Sequence, residues 1–109
     1  MSLLLQISQL ASQDFDEIYI YISQNNPDAA LRFFDAARET FAKIATTPSL
    51  GRVYPTQRQS LTGLRKWGIK GFKSYIIFYL IREDVLIIVR IIHGARDFPT
   101  LLASDEPNY

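Results

Sequence analysis

The sequence predicts an α+β fold with the element order β-α-α-β-β-β, a helical hairpin packed on a small antiparallel sheet. Two consecutive stretches in the first half repeat their apolar residues at helical spacing. Three stretches in the second half alternate, or run apolar, between very short turns. A long aperiodic segment separates the two halves, so helices and meander strands are segregated along the chain, as an α+β fold requires.

Leu3 to Ile7 reads as a short first strand. Ser8 is placed to cap a helix running to about Gln24, because Ala11, Phe15, Ile18 and Ile22 recur on one face. Asp14, Asp16 and Glu17 lie in its N-terminal half, where negative charge suits the helix dipole. Tyr19 and Tyr21 are expected to be partly exposed and to border a groove for a partner helix. In Asn25-Asn26-Pro27, Asn26 can cap a second helix, Pro27 suits its first position and Asp28 its first turn. That helix is predicted to reach about Ala45, with Ala30, Phe33, Phe34, Ala37, Phe41 and Ile44 as its apolar stripe. So short a connection makes the two helices an antiparallel hairpin, and its aromatic stripe reads as core.

From Thr46 to Gly63 no period survives, and Pro48, Gly51, Pro55 and Gly63 punctuate a long loop that carries the chain to the sheet. Leu64 to Ile69 then alternates, Lys70-Gly71 is a tight turn, and Tyr75 to Arg82 is the next strand. Glu83-Asp84 turns the chain again, and Val85 to Ile92 is apolar on both faces apart from Arg90. Short turns make these three an antiparallel meander. A strand apolar on both faces belongs inside a sheet, so Leu3–Ile7 is expected beside it. With four strands numbered along the chain, the expected order is 2-3-4-1. Residues 1–102 form one domain in this reading, followed by a polar tail, 103–109.

At 109 residues and 48% hydrophobic, the chain can bury one core but not two. It has no cysteine, which excludes disulfides and thiolate chemistry, and with a single histidine no metal site or cofactor is expected. MSLLLQISQL lacks the basic start of a signal peptide, and Arg82, Glu83 and Asp84 interrupt the most apolar stretch. A cytoplasmic protein with no membrane partner is therefore expected.

The formal net charge of +1 hides an asymmetry: residues 1–51 carry three bases against six acids, and residues 52–109 nine bases against five. Arg58, Arg65, Lys66, Lys70 and Lys73 form a run without an acid. They are candidates for contact with phosphates or an acidic protein surface, set against the plainer account of a solvated strand edge. The excess is too small for a dedicated nucleic-acid binder, so no stable sequence-specific binding to nucleic acid is expected.

The only histidine lies in VRIIHGARDF. There the chain leaves an internal strand and must satisfy its backbone as it turns. His93 can donate to a carbonyl, and Gly94 permits a positive φ. Asp97 can cap a helical turn over Phe98–Leu102 or pair with Arg96, and Pro99 suits the start of such a turn. The competing reading makes His93 a catalytic group among arginines. The structural corner, His93, Gly94, Arg96 and Asp97, is the reading carried forward.

Several stretches in this order resemble one family. They are DFDEIYIYI in the first helix, NPDAALRFF at the start of the second, PSLGR in the loop, and YIIFYLIREDVLIIVRIIHGARD through the last hairpin. Nearly the whole chain is thus similar to the RelE/ParE superfamily of toxins from type II toxin–antitoxin (plasmid stabilisation) systems. RIIHGARD and Gly51-Arg52 resemble the ParE-like branch, as does the nearly neutral charge. The resemblance implies a toxin neutralised by a cognate antitoxin, with DNA gyrase inhibited by protein–protein contact and no catalytic residue. The RelE-like branch implies the alternative, a ribosome-dependent mRNA endoribonuclease. Such chemistry needs a base, an acid and cations around the phosphate, and Arg65, Lys66, Arg90 and His93 are its candidates. A third reading is a non-toxic antitoxin-binding module.

Overall fold

Ser8 fixes the first change of direction. In the computed structural model, which describes residues 2–103, strand β1 (Leu4–Ile7) ends at this buried serine and helix α1 (Gln9–Asn25) begins. Its Oγ accepts from Ala11 N–H at 3.0 Å, the cap expected of serine before an apolar-periodic run. Asn26 closes α1 by donating its N–H to Ile22 O at 2.9 Å, and opens helix α2 (Pro27–Thr46) by accepting from Ala29 N–H at 3.0 Å. One residue makes the whole connection, so the two helices fold back on each other.

The helices divide the work unequally. Helix α2 buries Ala30, Phe33, Ala37, Thr40, Phe41, Ile44 and Ala45, whereas α1 buries only Ala11 completely and half-buries Phe15, Ile18 and Ile22. Each large buried side chain contributes about 1.5–3 kcal/mol through removal from water. Phe34, expected in the α2 stripe, is instead 39% exposed. One residue further round the helix than Phe33, it sits at the seam with α1, edge-on to Phe15 at 5.6 Å.

Beyond the hairpin lie β2 (Arg52–Val53), β3 (Arg65–Ile69), β4 (Phe72–Arg82), β5 (Val85–His93) and a short helix α3 (Phe98–Leu102). They form one five-stranded sheet in the order β1-β5-β4-β3-β2. The four longer strands stand in the predicted order, with β5 inside and β1 beside it. Two expectations need correction. The segment read as loop contributes β2, plus 3-10 turns at Pro48–Leu50 and Gln59–Leu61, because a two-residue strand is too short to show a period. The sheet is also not wholly antiparallel: β2 to β5 are, but β1 joins β5 in parallel. Short turns dictate the direction of consecutive strands only, and a parallel pair is joined by a long connection that leaves no local trace. Strand β4 begins three residues before the predicted Tyr75, directly after Gly71, whose φ of +81° makes the tight turn.

The sheet is covered on both faces. Ile69, Ile77, Tyr79, Leu86, Ile88 and Ile91 pack against Phe33, Ala37, Phe41 and Ile44 of α2. On the other face Phe78, Leu80, Ile87, Val89 and Ile92 pack with Leu61, Leu64 and Leu102, and with the half-buried Tyr54 and Phe98. No helix among the described residues is long and apolar enough to cross a membrane. The predicted polar tail lies outside the described residues except for Ala103.

Candidate functional site

Strand β5 changes phase in the middle. Phe78 pairs with Arg90 but Tyr79 pairs with Ile88, which leaves Val89 as the extra residue of a bulge. The displaced carbonyl of Val89 accepts the hydroxyl of Ser8 at 2.7 Å. After the bulge, Ile91 faces α2, and Arg90 falls on the opposite face in line with Phe78 and, one strand further, Lys66.

Arg90 is held there by Asp14 of α1. Its Nε donates to Asp14 Oδ2 at 2.8 Å and its Nη2 to Oδ1 at 2.9 Å, and both side chains are only 12% exposed. The same Oδ2 accepts the backbone N–H of Ile91 at 2.9 Å. Strand β1 pairs with β5 only as far as Ile88, so Asp14 satisfies an N–H beyond the end of that partner. Arg90 Nη1 donates to Leu101 O at 3.1 Å and so ties α3 to the sheet. Asp14, read from sequence only as a dipole charge, is thus the residue that sequence reasoning missed. A signal was present: it stands three residues after Ala11 and four before Ile18, on the apolar side of α1.

His93 lies outside this network. It is exposed, its ring stands edge-on to Tyr75 at 5.2 Å, and its Nδ1 accepts Ala95 N–H at 3.0 Å. The expected donation from His93 to a carbonyl is thus replaced by acceptance from a backbone amide. Gly94 does not adopt a positive φ; its N–H donates to Ser74 O at 2.6 Å, continuing the β4 contact. Arg96 is exposed and not paired with Asp97, whose carboxylate instead caps α3 through Thr100 N–H and Oγ1. The cavity at this corner, which includes Asp14, Glu17, Arg90, His93 and Arg96 in its walls, holds only about 120 Å³. That is well below the roughly 300 Å³ at which ligand pockets begin.

The structure does not gather Arg65, Lys66, Arg90 and His93 into one centre. Arg65 and Lys66 are consecutive on β3 and face opposite sides of the sheet. Arg65 donates from Nη1 to Gly51 O at 2.6 Å. Lys66 Nζ lies 5.7 Å from both the Tyr54 and Phe98 rings. The Phe98 ring also packs edge-on to Phe78 at 5.0 Å, so α3 covers the row between Lys66 and Arg90.

The acid-free basic run is divided in the same way. Arg58 donates to Leu102 O at 2.9 Å, whereas Lys70 and Lys73 are exposed at the β3–β4 turn. Gly51 explains part of the PSLGR loop. Tyr79 Oη accepts its N–H at 2.8 Å and donates to Pro48 O at 2.7 Å. A Cβ on Gly51 would stand 2.4 Å from that hydroxyl, so any other residue there would force the buried Tyr79 ring to shift. Burial raises the pKa of Tyr79, opposed by the Gly51 N–H and the Arg65 charge. No group of three potential metal ligands converges among the described residues.

Among the described residues, large apolar side chains are exposed on the hairpin, on β1 and, at Val53, on β2. Ile20, Tyr21, Leu31 and Phe34 are exposed on the hairpin, and Leu4, Leu5 and Ile7 along the edge strand β1. Comparison with known proteins agrees with this architecture. The family model described as "ParE toxin of type II toxin-antitoxin system, parDE" matches residues 5–98. No curated protein matches the chain. A solved structure titled "Chromosomal ParDE TA system from P. aeruginosa" shares the fold with a TM-score of 0.68 at 18% identity, covering 84% of this chain and 96% of that one.

Proposed function

Since the chain belongs to the ParE toxin family of type II toxin–antitoxin systems, we propose that it inhibits DNA gyrase by protein–protein contact and is neutralised by a cognate antitoxin. One observation carries the choice of an inhibitor over a nuclease. The cations that RNA cleavage would need are engaged within the chain: Arg90 by Asp14 and Leu101 O, Arg65 by Gly51 O, and Lys66 between two aromatic rings. An RNA phosphate would have to displace α3 to reach Lys66 and break a nearly buried ion pair to reach Arg90, a cost of several kcal/mol before any chemistry. Contact inhibition asks for none of this.

The antitoxin reading rests on the exposed apolar residues of the hairpin. A segment that folds on contact can lay an apolar helix face against Ile20, Tyr21, Leu31 and Phe34. Expression of this chain alone is expected to induce a DNA-damage response and arrest growth. Co-expression with the small acidic frame expected next to its gene is expected to relieve the arrest and yield a complex stable to moderate salt. Ile20→Asp combined with Leu31→Asp, both on exposed positions, should remove that relief. Translation arrest without DNA damage, or loss of the complex at moderate salt, contradicts the proposal.

A further inference from the structure

A groove of about 660 Å³ lies between the second half of α2 and the outer part of the sheet, with Lys43, Trp67, Gly68, Lys70 and Lys73 in its walls. Glu39 is the one acid among the lining residues, so three cations face one anion. No ion pair or hydrogen bond engages the ammonium of Lys43, Lys70 or Lys73 among the described residues. Trp67 is half-buried, packs against the core and is one of the residues lining the groove.

The backbone beside these side chains narrows the class of ligand. Strand β2 ends opposite Lys66, so the outer edge of β3 is uncovered from Trp67 onward. Tyr54 N–H donates to Leu64 O across that edge, and the two-residue alternation of the ladder turns the backbone of Gly68 the same way. Ile69 follows a bulge, and Lys70 N–H is directed to Thr40 Oγ1 at 3.4 Å. A single free residue is too short to template an added strand, which argues against an extended acidic peptide. A lone backbone N–H among ammonium groups does suit a phosphate oxygen, and an aromatic wall suits a base.

We propose that this groove binds single-stranded nucleic acid without regard to sequence, with Lys43, Lys70 and Lys73 on the phosphates, Gly68 N–H donating to one of them, and the Trp67 ring against a base. The site does not depend on gyrase being the target. Its phosphate contacts are few, so affinity is low and strongly salt-dependent.

Trp67 is the only tryptophan in the chain, so fluorescence excited beyond the absorption of its six tyrosines reports on the groove. Titration of the full chain with a short oligodeoxythymidylate at low salt is expected to quench it. The logarithm of the binding constant should fall with the logarithm of salt concentration at a slope of about −2, as three single-strand phosphate contacts require. Lys70→Glu combined with Lys73→Glu, at exposed turn positions, should weaken binding about tenfold or more at an unchanged melting temperature. If that variant is unstable, Lys70→Gln with Lys73→Gln should show a smaller loss in the same direction. Poly-L-glutamate should leave the fluorescence unchanged. Absence of quenching by the oligonucleotide, or equal affinity in the folded lysine variants, overturns the proposal. Equal binding of poly-L-glutamate also overturns it, in favour of an acidic polypeptide.

Discussion

Asp14 satisfies three donors with two oxygens, two on the Arg90 guanidinium and one on the Ile91 backbone. Asp14→Ala would leave a nearly buried cation and an edge N–H without acceptors. Breaking such a pair from one side costs about 3 kcal/mol or more. Chemical denaturation should show that loss for Asp14→Ala and a smaller one for Asp14→Asn; a change under about 0.5 kcal/mol, the range of ordinary surface substitutions, would contradict the assigned role. Both partners carried a signal in the sequence, Asp14 on an apolar helix face and Arg90 in an apolar strand. Their pairing did not, since it spans the whole fold. Tyr79 supports a second residue-scale prediction. Its hydroxyl must keep its proton to donate to Pro48 O, and its pKa is raised above the ordinary 10.0 chiefly by burial. The stabilisation is therefore complete below about pH 10 and is lost as pH rises through the raised folded value. Tyr79→Phe should destabilise the protein by about 1–3 kcal/mol at neutral pH and flatten part of its alkaline decline. Burial likewise raises Tyr75, so a residual slope remains. An alkaline melting profile identical in the variant would contradict this reading.

At the scale of elements, the chain from His93 to Leu102 is a turn followed by a cover. Asp97 caps α3, Arg58 and Arg90 take its terminal carbonyls, and Phe98 fills the space over Phe78. His93 contributes an exposed local hydrogen bond and an edge-on ring contact with Tyr75, so His93→Gln should shift stability by no more than about 1–2 kcal/mol and leave inhibition intact. If His93 were a general acid or base, activity would fall by roughly two to four orders of magnitude with the fold unchanged; that result would overturn the corner reading. The helical hairpin and the β3–β5 meander were legible because their periods and turns are local: Ser8, Asn26, Lys70-Gly71 and Glu83-Asp84 each mark a boundary. Strand β2, the parallel pairing of β1, and the bulge at Val89 were not, since each depends on a partner distant in sequence. The bulge matters most for the site. Without it Arg90 would follow Ile88 onto the helix face, and the sequence alone offers no reason to skip a residue there.

Over the whole molecule, the acid-rich first half forms the hairpin with its exposed apolar residues, and the base-rich second half forms most of the sheet. Five bases without an acid looked like one patch, yet only Lys70 and Lys73 of that run stay exposed, while Arg58, Arg65 and Lys66 hold the fold together. Under the proposed function the chain acts on gyrase through surface contact rather than through a catalytic centre. The direct test uses purified, antitoxin-free protein in two assays run side by side, DNA supercoiling by gyrase and translation in a cell-free system. The account predicts inhibited supercoiling or trapped cleaved DNA, with translation proceeding and mRNA intact. Normal supercoiling together with mRNA cut only when ribosomes are present would contradict it.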